Sequence, residues 1–293
     1  MENTHVDWRR GIVGVTLAVA CFAALDSCTK WVGTLAPLAL VVWCRYLVTT
    51  VIVAPAQWLR RGRQSWRTQH LGWQVVRGTS LLGCSVFAFL SLRHMSVGEF
   101  TAVVMLTPLV ITAAAGRALG ERVPLVRWLC VLGGFAGAML VIRPTRGDFN
   151  WALLFPLGLV ASNAAYQLLT GRLAKAGEDA GTMQLYTGLV GLLFSSVPLA
   201  LTWTLPSQPQ AWGWLVAVGV LGMLGHQFLI HAYQKVPASA LTPFLYLQIG
   251  FGMVMGWWMF NQVPDAWSLA GVGLIALCGV LGTTTLRPPT AAA

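Results

Sequence analysis

Ten apolar stretches, each close to twenty residues long, leave this chain few folds to choose from. They run over 11–31, 38–58, 72–92, 99–119, 125–143, 150–171, 181–203, 212–233, 238–259 and 267–286. A helix needs about 20 mostly apolar residues to cross a bilayer. Backbone polar groups in lipid must be satisfied within the protein, which restricts the choice to helices or a closed barrel. Barrel strands alternate in polarity over about ten residues, and these stretches do not alternate. The expectation is an all-α integral membrane protein with ten transmembrane helices. Only 10% of residues are charged and 56% are hydrophobic, whereas a soluble domain carries about 25% charged residues. The gaps are short, so no soluble domain is expected. Arg9 and Arg10 ahead of the first stretch, with Ala18-Val19-Ala20 inside it, have a faint signal-peptide look. The apolar character continues to Trp31, so the first helix reads as uncleaved.

The net charge of +10 does not point to nucleic acid, because the basic residues fill short gaps rather than one polar face. Their distribution sets an orientation instead. With a cytoplasmic N-terminus, the inner side holds Arg9, Arg10, Arg60, Arg61, Arg63, Arg67, Arg117, Arg122, Arg127, Arg172, Lys175, Lys235 and Arg287. The outer side holds Lys30, Arg93, Arg143 and Arg146. Thirteen against four places both termini in the cytoplasm. Helical bundles are not outer-membrane architecture, so the bacterial inner membrane is the expected location. Arg77, near the cytoplasmic end of the third stretch, is expected to snorkel. The six cysteines are scattered singly without metal-ligand spacing and read as small apolar packing residues. No cofactor is expected.

An internal repeat emerges at an offset of about 141 residues. Leu92-Arg93-His94-Met95-Ser96 falls on Tyr233-Gln234-Lys235-Val236-Pro237, Thr29 on Thr170, and Thr101 on Thr242. Loop charges speak more clearly than identity. Arg60, Arg61, Arg63 and Arg67 follow the second stretch, whereas 203–211 after the seventh carries no charge. Five helices per unit is an odd number, so the second unit must enter from the opposite side. The expected units are 11–143 and 150–286. Inverted repeats are a hallmark of secondary transporters, with the substrate near midplane between them.

Several segments carry a family likeness. They are Ala24-Leu25-Asp26-Ser27-Cys28-Thr29-Lys30-Trp31, Val42-Trp43-Cys44-Arg45-Tyr46-Leu47, Gly120-Glu121-Arg122-Val123, Ala165-Tyr166-Gln167-Leu168-Leu169-Thr170 and Ala238-Ser239-Ala240-Leu241-Thr242-Pro243. In order and spacing the chain resembles the EamA family of the drug/metabolite transporter superfamily, whose members have two repeats of five helices. Asn261-Gln262 departs from the Gly-Glu usual there, a pair taken to shape a loop. The resemblance implies movement of a small organic metabolite, export more than import, and leaves the substrate open.

Charges inside spans are costly, about 2.5–3.5 kcal/mol at a helix centre, and are the first functional suspects. Asp26 lies roughly 7–8 Å outward of its span's midpoint and Arg45 roughly 4–5 Å, at 1.5 Å per residue. Matching depths predict that they pair across the first two helices. Lys30 is one turn beyond Asp26 on the same face; snorkelling explains it equally well. These three fit a structural ion pair, a subsite for a carboxylate on the Arg45 fork, or a proton-coupling acid. The repeat places Gln167 opposite Asp26 and Tyr186 opposite Arg45. With Asn163 and Tyr166 they make a polar, uncharged inner half. Trp43, Tyr46, Tyr246 and Trp257 are candidate aromatic walls, or else interface anchors.

Other features read as structural. His226 and His231 are five residues apart and do not share a helix face as a metal pair would. Ser96-x-x-Glu99 fits a capping box. Pro108 and Pro243 should bend the fourth and ninth helices. Gly133-x-x-x-Gly137 and Gly252-x-x-x-Gly256 permit close approach within the chain or in a homodimer, so monomer and homodimer stay open.

The leading expectation is a secondary transporter of an amino-acid-like or other carboxylate-bearing or zwitterionic metabolite, working by alternating access with proton or counter-substrate coupling. A membrane sensor or scaffold would want an output domain, which the chain lacks. An intramembrane enzyme would want His-Glu-x-x-His, Gly-x-Ser-x-Gly or paired spanning aspartates, none of which occurs.

Overall fold

The computed structural model describes residues 7–94, 103–120, 123–142, 154–202, 205–261 and 263–284. They form helices α1 (Trp8–Val32), α2 (Leu38–Arg61), α3 (Leu71–His94), α4 (Thr107–Leu119), α5 (Leu125–Ile142), α6 (Leu154–Lys175), α7 (Ala180–Leu201), α8 (Gln210–Lys235), α9 (Ala238–Leu245), α10 (Leu247–Phe260) and α11 (Ala266–Thr284), and no strand occurs among the described residues. Helices α9 and α10 together make the ninth span. α1, α2, α7, α8 and the α9–α10 pair are each long and apolar enough to cross a bilayer. Acidic N-caps start three of the described helices, α1, α7 and α11, the last with the Asp265 carboxylate accepting the Ser268 N–H at 2.9 Å. The Asp7 carboxylate accepts the Arg10 N–H at 3.1 Å, and that of Asp179 accepts the Thr182 N–H at 2.9 Å.

The prolines act differently from expectation. Pro108 does not bend a continuous helix: α4 begins at Thr107, next to it. The absent N–H is harmless in a first turn, and the chain turns at Met105-Leu106 just before. Pro243 does lie inside α9. Its missing N–H frees the Ser239 carbonyl, one turn back. The Thr242 hydroxyl donates to that carbonyl at 2.8 Å instead. The chain turns again at Tyr246, between α9 and α10. The two interruptions are 141 residues apart and touch, the Tyr246 hydroxyl donating to the Met105 carbonyl at 3.2 Å.

Packing follows the pseudo-two-fold. α1 packs on α8, as α6 packs on α3; α1 on α9 and α10, as α6 on α4; and α2 on α8, as α7 on α3. The pairs α2–α7 and α5–α11 map onto themselves. In α5–α11, a side chain at Gly137 would lie 2.7 Å from the Gly271 carbonyl. The Gly133-x-x-x-Gly137 face is thus used within the chain. The second unit enters inverted. Thr68, after α2, donates to Glu178 at 2.7 Å, and Gln234 near the C-terminus of α8 donates to the Glu178 carbonyl at 2.9 Å. The stretch after α7 instead enters α8 at its opposite end, where Trp214 lies 6.3 Å from Trp31.

Two left-handed caps mark equivalent helix ends. Gly120 (φ 63°) closes α4, and Asn261 (φ 54°) closes α10 with its N–H on the Trp257 carbonyl at 3.0 Å. These positions correspond under the repeat, which gives the Asn261 departure a physical reason. After glycine, asparagine is the residue that best tolerates this conformation. Asn261→Gly should leave thermal stability unchanged, whereas Asn261→Ile should cost about 1–2 kcal/mol; equal midpoints for the two would refute the reading. The expected capping box at Ser96 and Glu99 lies outside the described residues, as do Glu121, Arg122 and Gln262.

Candidate functional site

One face of α1 opens progressively along its length. Positions 15, 19, 22, 26 and 30 fall within about 80° of each other at 100° per residue. Val15 and Val19 are fully buried, Phe22 is half-buried, and Asp26 and Lys30 are exposed. Val13, Leu17 and Trp31, also exposed, lie on the opposite side of the helix. That outer stripe faces lipid, whereas Asp26 is exposed on the side turned to α10, at a crevice between the two helices near the end where α1 finishes. Gln248 on α10 forms the other wall, its amide donating to Asp26 Oδ2 at 2.8 Å. One turn further along α10, a side chain at Gly252 would meet nothing within 4 Å. At the mouth, the Lys30 ammonium sits 4.7 Å from the Phe260 ring centre, and Trp31 lies against Phe260 and Trp214.

Asp26 and Arg45 do not pair, contrary to the reading of their depths. Among the described residues the ion pairs are Arg10–Asp7 and Arg61–Asp179. The reason is topological: α8 packs against both α1 and α2, so Arg45 meets α8 instead. Its Nη2 lies 2.9 Å from His226 Nε2, and its Nη1 donates weakly to the Ser85 hydroxyl at 3.5 Å. Ser85 and His226 are themselves 141 residues apart, so the guanidinium bridges equivalent points of the two repeats. A guanidinium has donors only. His226 Nε2 therefore accepts, and the ring carries its proton on Nδ1, which is buried without a partner. The imidazole lies tilted against Phe22 (4.8 Å) and edge-on to Tyr166 (5.1 Å). Tyr46 is buried beside α7, where a side chain at Gly191 would strike its ring. The Tyr46 hydroxyl is buried and forms no hydrogen bond among the described residues.

Beyond Tyr166 lies a second cation. Arg77 does not snorkel; it is 0% exposed. It donates to Thr170 Oγ1 (2.8 Å), the Met183 carbonyl (2.8 Å), Thr187 Oγ1 (2.7 Å) and the Tyr166 hydroxyl (3.1 Å). Its guanidinium also lies 4.8 Å from the Tyr166 ring centre. Four neutral acceptors replace the water it would have met at an interface. Arg45, His226, Tyr166 and Arg77 thus form a column through the bundle, and among the described residues neither guanidinium has an acid at ion-pair distance.

The other sequence candidates scatter around this column. Gln167 donates to Asn163 Oδ1 at 3.1 Å and accepts from the Tyr233 hydroxyl. Trp43 donates to Ser196 at 3.0 Å. Tyr186 leaves the column, donating to the Trp66 carbonyl at 2.9 Å. Tyr246 is fully buried at the crossing of the two interrupted spans. Trp257 is exposed on α10. Sequence reasoning missed His226, Ser85 and Gln248 as partners. The equivalence of 85 and 226 under the repeat was the available signal.

The end opposite the crevice is tied shut. Glu178 takes hydrogen bonds from Thr68 (2.7 Å), the Gln69 N–H (3.3 Å) and Gln74 (3.4 Å). Asp179 takes them from Gln57 and Thr182 and pairs with Arg61 at 3.3 Å. Partial burial pushes the Asp179 carboxyl up. The Thr182 N–H, the Gln57 amide and Arg61 outweigh it, and the net pKa lies below the ordinary 3.8. A group depressed on folding stabilises at pH above its unfolded value, and that stabilisation is lost as pH falls through the folded one. Thermal unfolding from pH 6 down to 3 should therefore show a drop below about pH 4 that is shallower in Asp179→Asn, which keeps the cap. Parallel curves would remove Asp179 from the clasp.

The EamA-like transporter family model matches residues 9–143 and 150–285. A riboflavin transporter of Vibrio cholerae is 28% identical over 271 residues, covering 92% of this chain and 91% of that one. The pseudopaline exporter CntI of Pseudomonas aeruginosa is 24% identical, covering 94% and 97%. An S-adenosylmethionine uptake transporter of Rickettsia prowazekii is 25% identical, covering 94% and 92%. One solved crystal structure superposes with a TM-score of 0.80 at 18% identity, covering 94% of this chain and 96% of that one, which speaks for the fold alone. The chain belongs to the EamA-like transporter family and is a multi-pass membrane transporter of small molecules rather than an enzyme.

Proposed function

We propose that the protein is a secondary transporter of an amino-acid-like or other carboxylate-bearing, zwitterionic metabolite, bound between the Asp26 carboxylate and the Arg45 guanidinium. One observation carries this reading. Asp26 and Arg45 are oppositely charged and lie within membrane spans, yet each is hydrogen-bonded to uncharged side chains or a histidine. A zwitterion supplies the counter-charge to both. Lys30 stands at the mouth as a first contact for an anion. Trp43, Tyr46, Asn163, Tyr166, Gln167, Tyr186 and Tyr246 contribute walls and rearrange as the repeats, taken as 11–143 and 150–286, rock about the site. The crevice is open on one side and the Glu178–Asp179 clasp closed on the other, which suits one state of an alternating-access cycle.

The excess of arginine places the clasp and both termini in the cytoplasm of a bacterial inner membrane. Export is the direction favoured by the family resemblance, although the relatives include both an exporter and an uptake transporter. Coupling is to a proton or a counter-substrate, and the working unit is a monomer or homodimer. A second reading is riboflavin, favoured by the Vibrio cholerae relative. That substrate has no carboxylate and would rely on the rings and amides around Tyr166.

The test compares metabolite pools inside and outside cells with and without the protein. It is followed by downhill flux of the changed compounds into liposomes. A zwitterion or carboxylate moved by protein-containing liposomes alone supports the proposal. Riboflavin alone would favour the second reading, and no differential flux of any changed compound would sink both.

A further inference from the structure

Outside the central column, a groove of about 370 Å³ runs along the lipid-facing junction of α1 and α8. Arg9, Arg10 and His231 form its rim, and Val13, Gly14, Leu17 and Phe228 its apolar wall. Its depth has a simple origin. A side chain at Gly14 would lie 3.2 Å from Ala232 Cβ, so the helices touch there and no side chain fills the seam. From Arg10 to Leu17 the wall is roughly 10 Å long at 1.5 Å per residue.

The rim is cationic. Arg10 shares its charge with Asp7 at 3.2 Å. Arg9 forms no ion pair with the described acids. His231 is held between Gln227 and Gln234 (2.9 and 3.2 Å) and offers a polar contact beside the arginines. Arg9, Arg10 and Asp7 leave a net single positive charge on the rim, at the same end as Arg60, Arg61, Arg63 and Arg67. The sequence of the equivalent seam in the other repeat pair lacks these cations. Asn150 and Trp151 stand where the repeat maps Arg9 and Arg10, and Leu90 where it maps His231.

We propose that this groove is a binding site for an anionic phospholipid. Its phosphate seats on Arg9 and Arg10, with His231 as a hydrogen-bonding neighbour, and one acyl chain lies along Val13, Leu17 and Phe228. Cationic pockets between helices on the cytoplasmic side recognise acidic headgroups in this way, and an apolar seam beneath the cations distinguishes a lipid from a free anion. The α1–α8 seam joins one repeat to the other, so a lipid wedged there bears on their relative motion.

The test uses the full-length protein, delipidated in detergent and titrated with phosphatidylglycerol, phosphatidylcholine or inorganic phosphate, with bound molecules counted by native mass spectrometry. At least one phosphatidylglycerol should be retained in preference to phosphatidylcholine, and phosphate should not be retained. The Arg9→Gln/Arg10→Gln variant should weaken that site about thirtyfold, while Arg63→Gln, at the same end but outside the groove, should leave it unchanged. Val13→Trp, which fills the groove and keeps both cations, should also lose the lipid. Equal retention of the two lipids, an unaltered site in the double variant, or an equal loss in Arg63→Gln would overturn the proposal.

Discussion

Arg45→Ala is expected to abolish substrate flux into liposomes while the protein still inserts and remains monodisperse. The guanidinium is not neutralised by any acid among the described residues, so its removal does not strand a buried partner charge. What it leaves behind is a histidine and a serine hydroxyl, and the serine already donates to the Leu81 carbonyl at 3.3 Å. Folding should therefore survive. Binding should not, because truncating one side of a desolvated charge pair costs about 2–5 kcal/mol. That is roughly thirty- to several-thousand-fold in affinity. Arg45→Lys separates charge from shape. Lysine can still donate to His226 Nε2, but it cannot hold Ser85, His226 and a carboxylate together in one plane. Partial flux with raised half-saturation is the expected outcome for Lys. Normal flux in Arg45→Ala would remove this residue from the site and leave the zwitterion proposal without its anion subsite.

The spans and their inversion were legible because lipid imposes them: length, polarity and loop charge each report on the bilayer and not on neighbouring helices. The site was legible only in part. Asp26 and Arg45 announce themselves as charges within apolar stretches, but their partners depend on which helices touch. Sequence neighbours α1 and α2 are separated by α8, so depth matching predicted a pair that does not form. Gln248 and His226 are the actual partners, each an ordinary polar residue in its own span. Asn261 shows the opposite case. A departure from the family pattern was visible, and its reason became clear once its backbone angle could be set beside that of Gly120.

Arg77 was misread for a different reason, and its variants should separate two kinds of stabilisation. Its place near the end of an apolar stretch suggested snorkelling, but the hydroxyls of Tyr166, Thr170 and Thr187 close over it. Removing a guanidinium from water costs several kcal/mol, and the gross attraction of its four hydrogen bonds offsets that. The two terms nearly cancel, so the charge itself adds little net stability. Three of the four acceptors also have other bonds: Thr170 donates to the Tyr166 carbonyl at 2.7 Å, and Thr187 to the Met183 carbonyl at 2.9 Å. Arg77→Met, which keeps most of the volume, should thus unfold within about 1 kcal/mol of wild type. Arg77→Ala leaves a cavity where α3, α6 and α7 meet and should lose about 3–5 kcal/mol, read as a fall in thermal midpoint in detergent. If Met proves as damaging as Ala, the hydrogen bonds and not the volume hold this junction. The three hydroxyls would then be the next residues to remove, because a junction fastened by bonds rather than by packing can open without leaving a void, as a transporter's closed side must do once in every cycle.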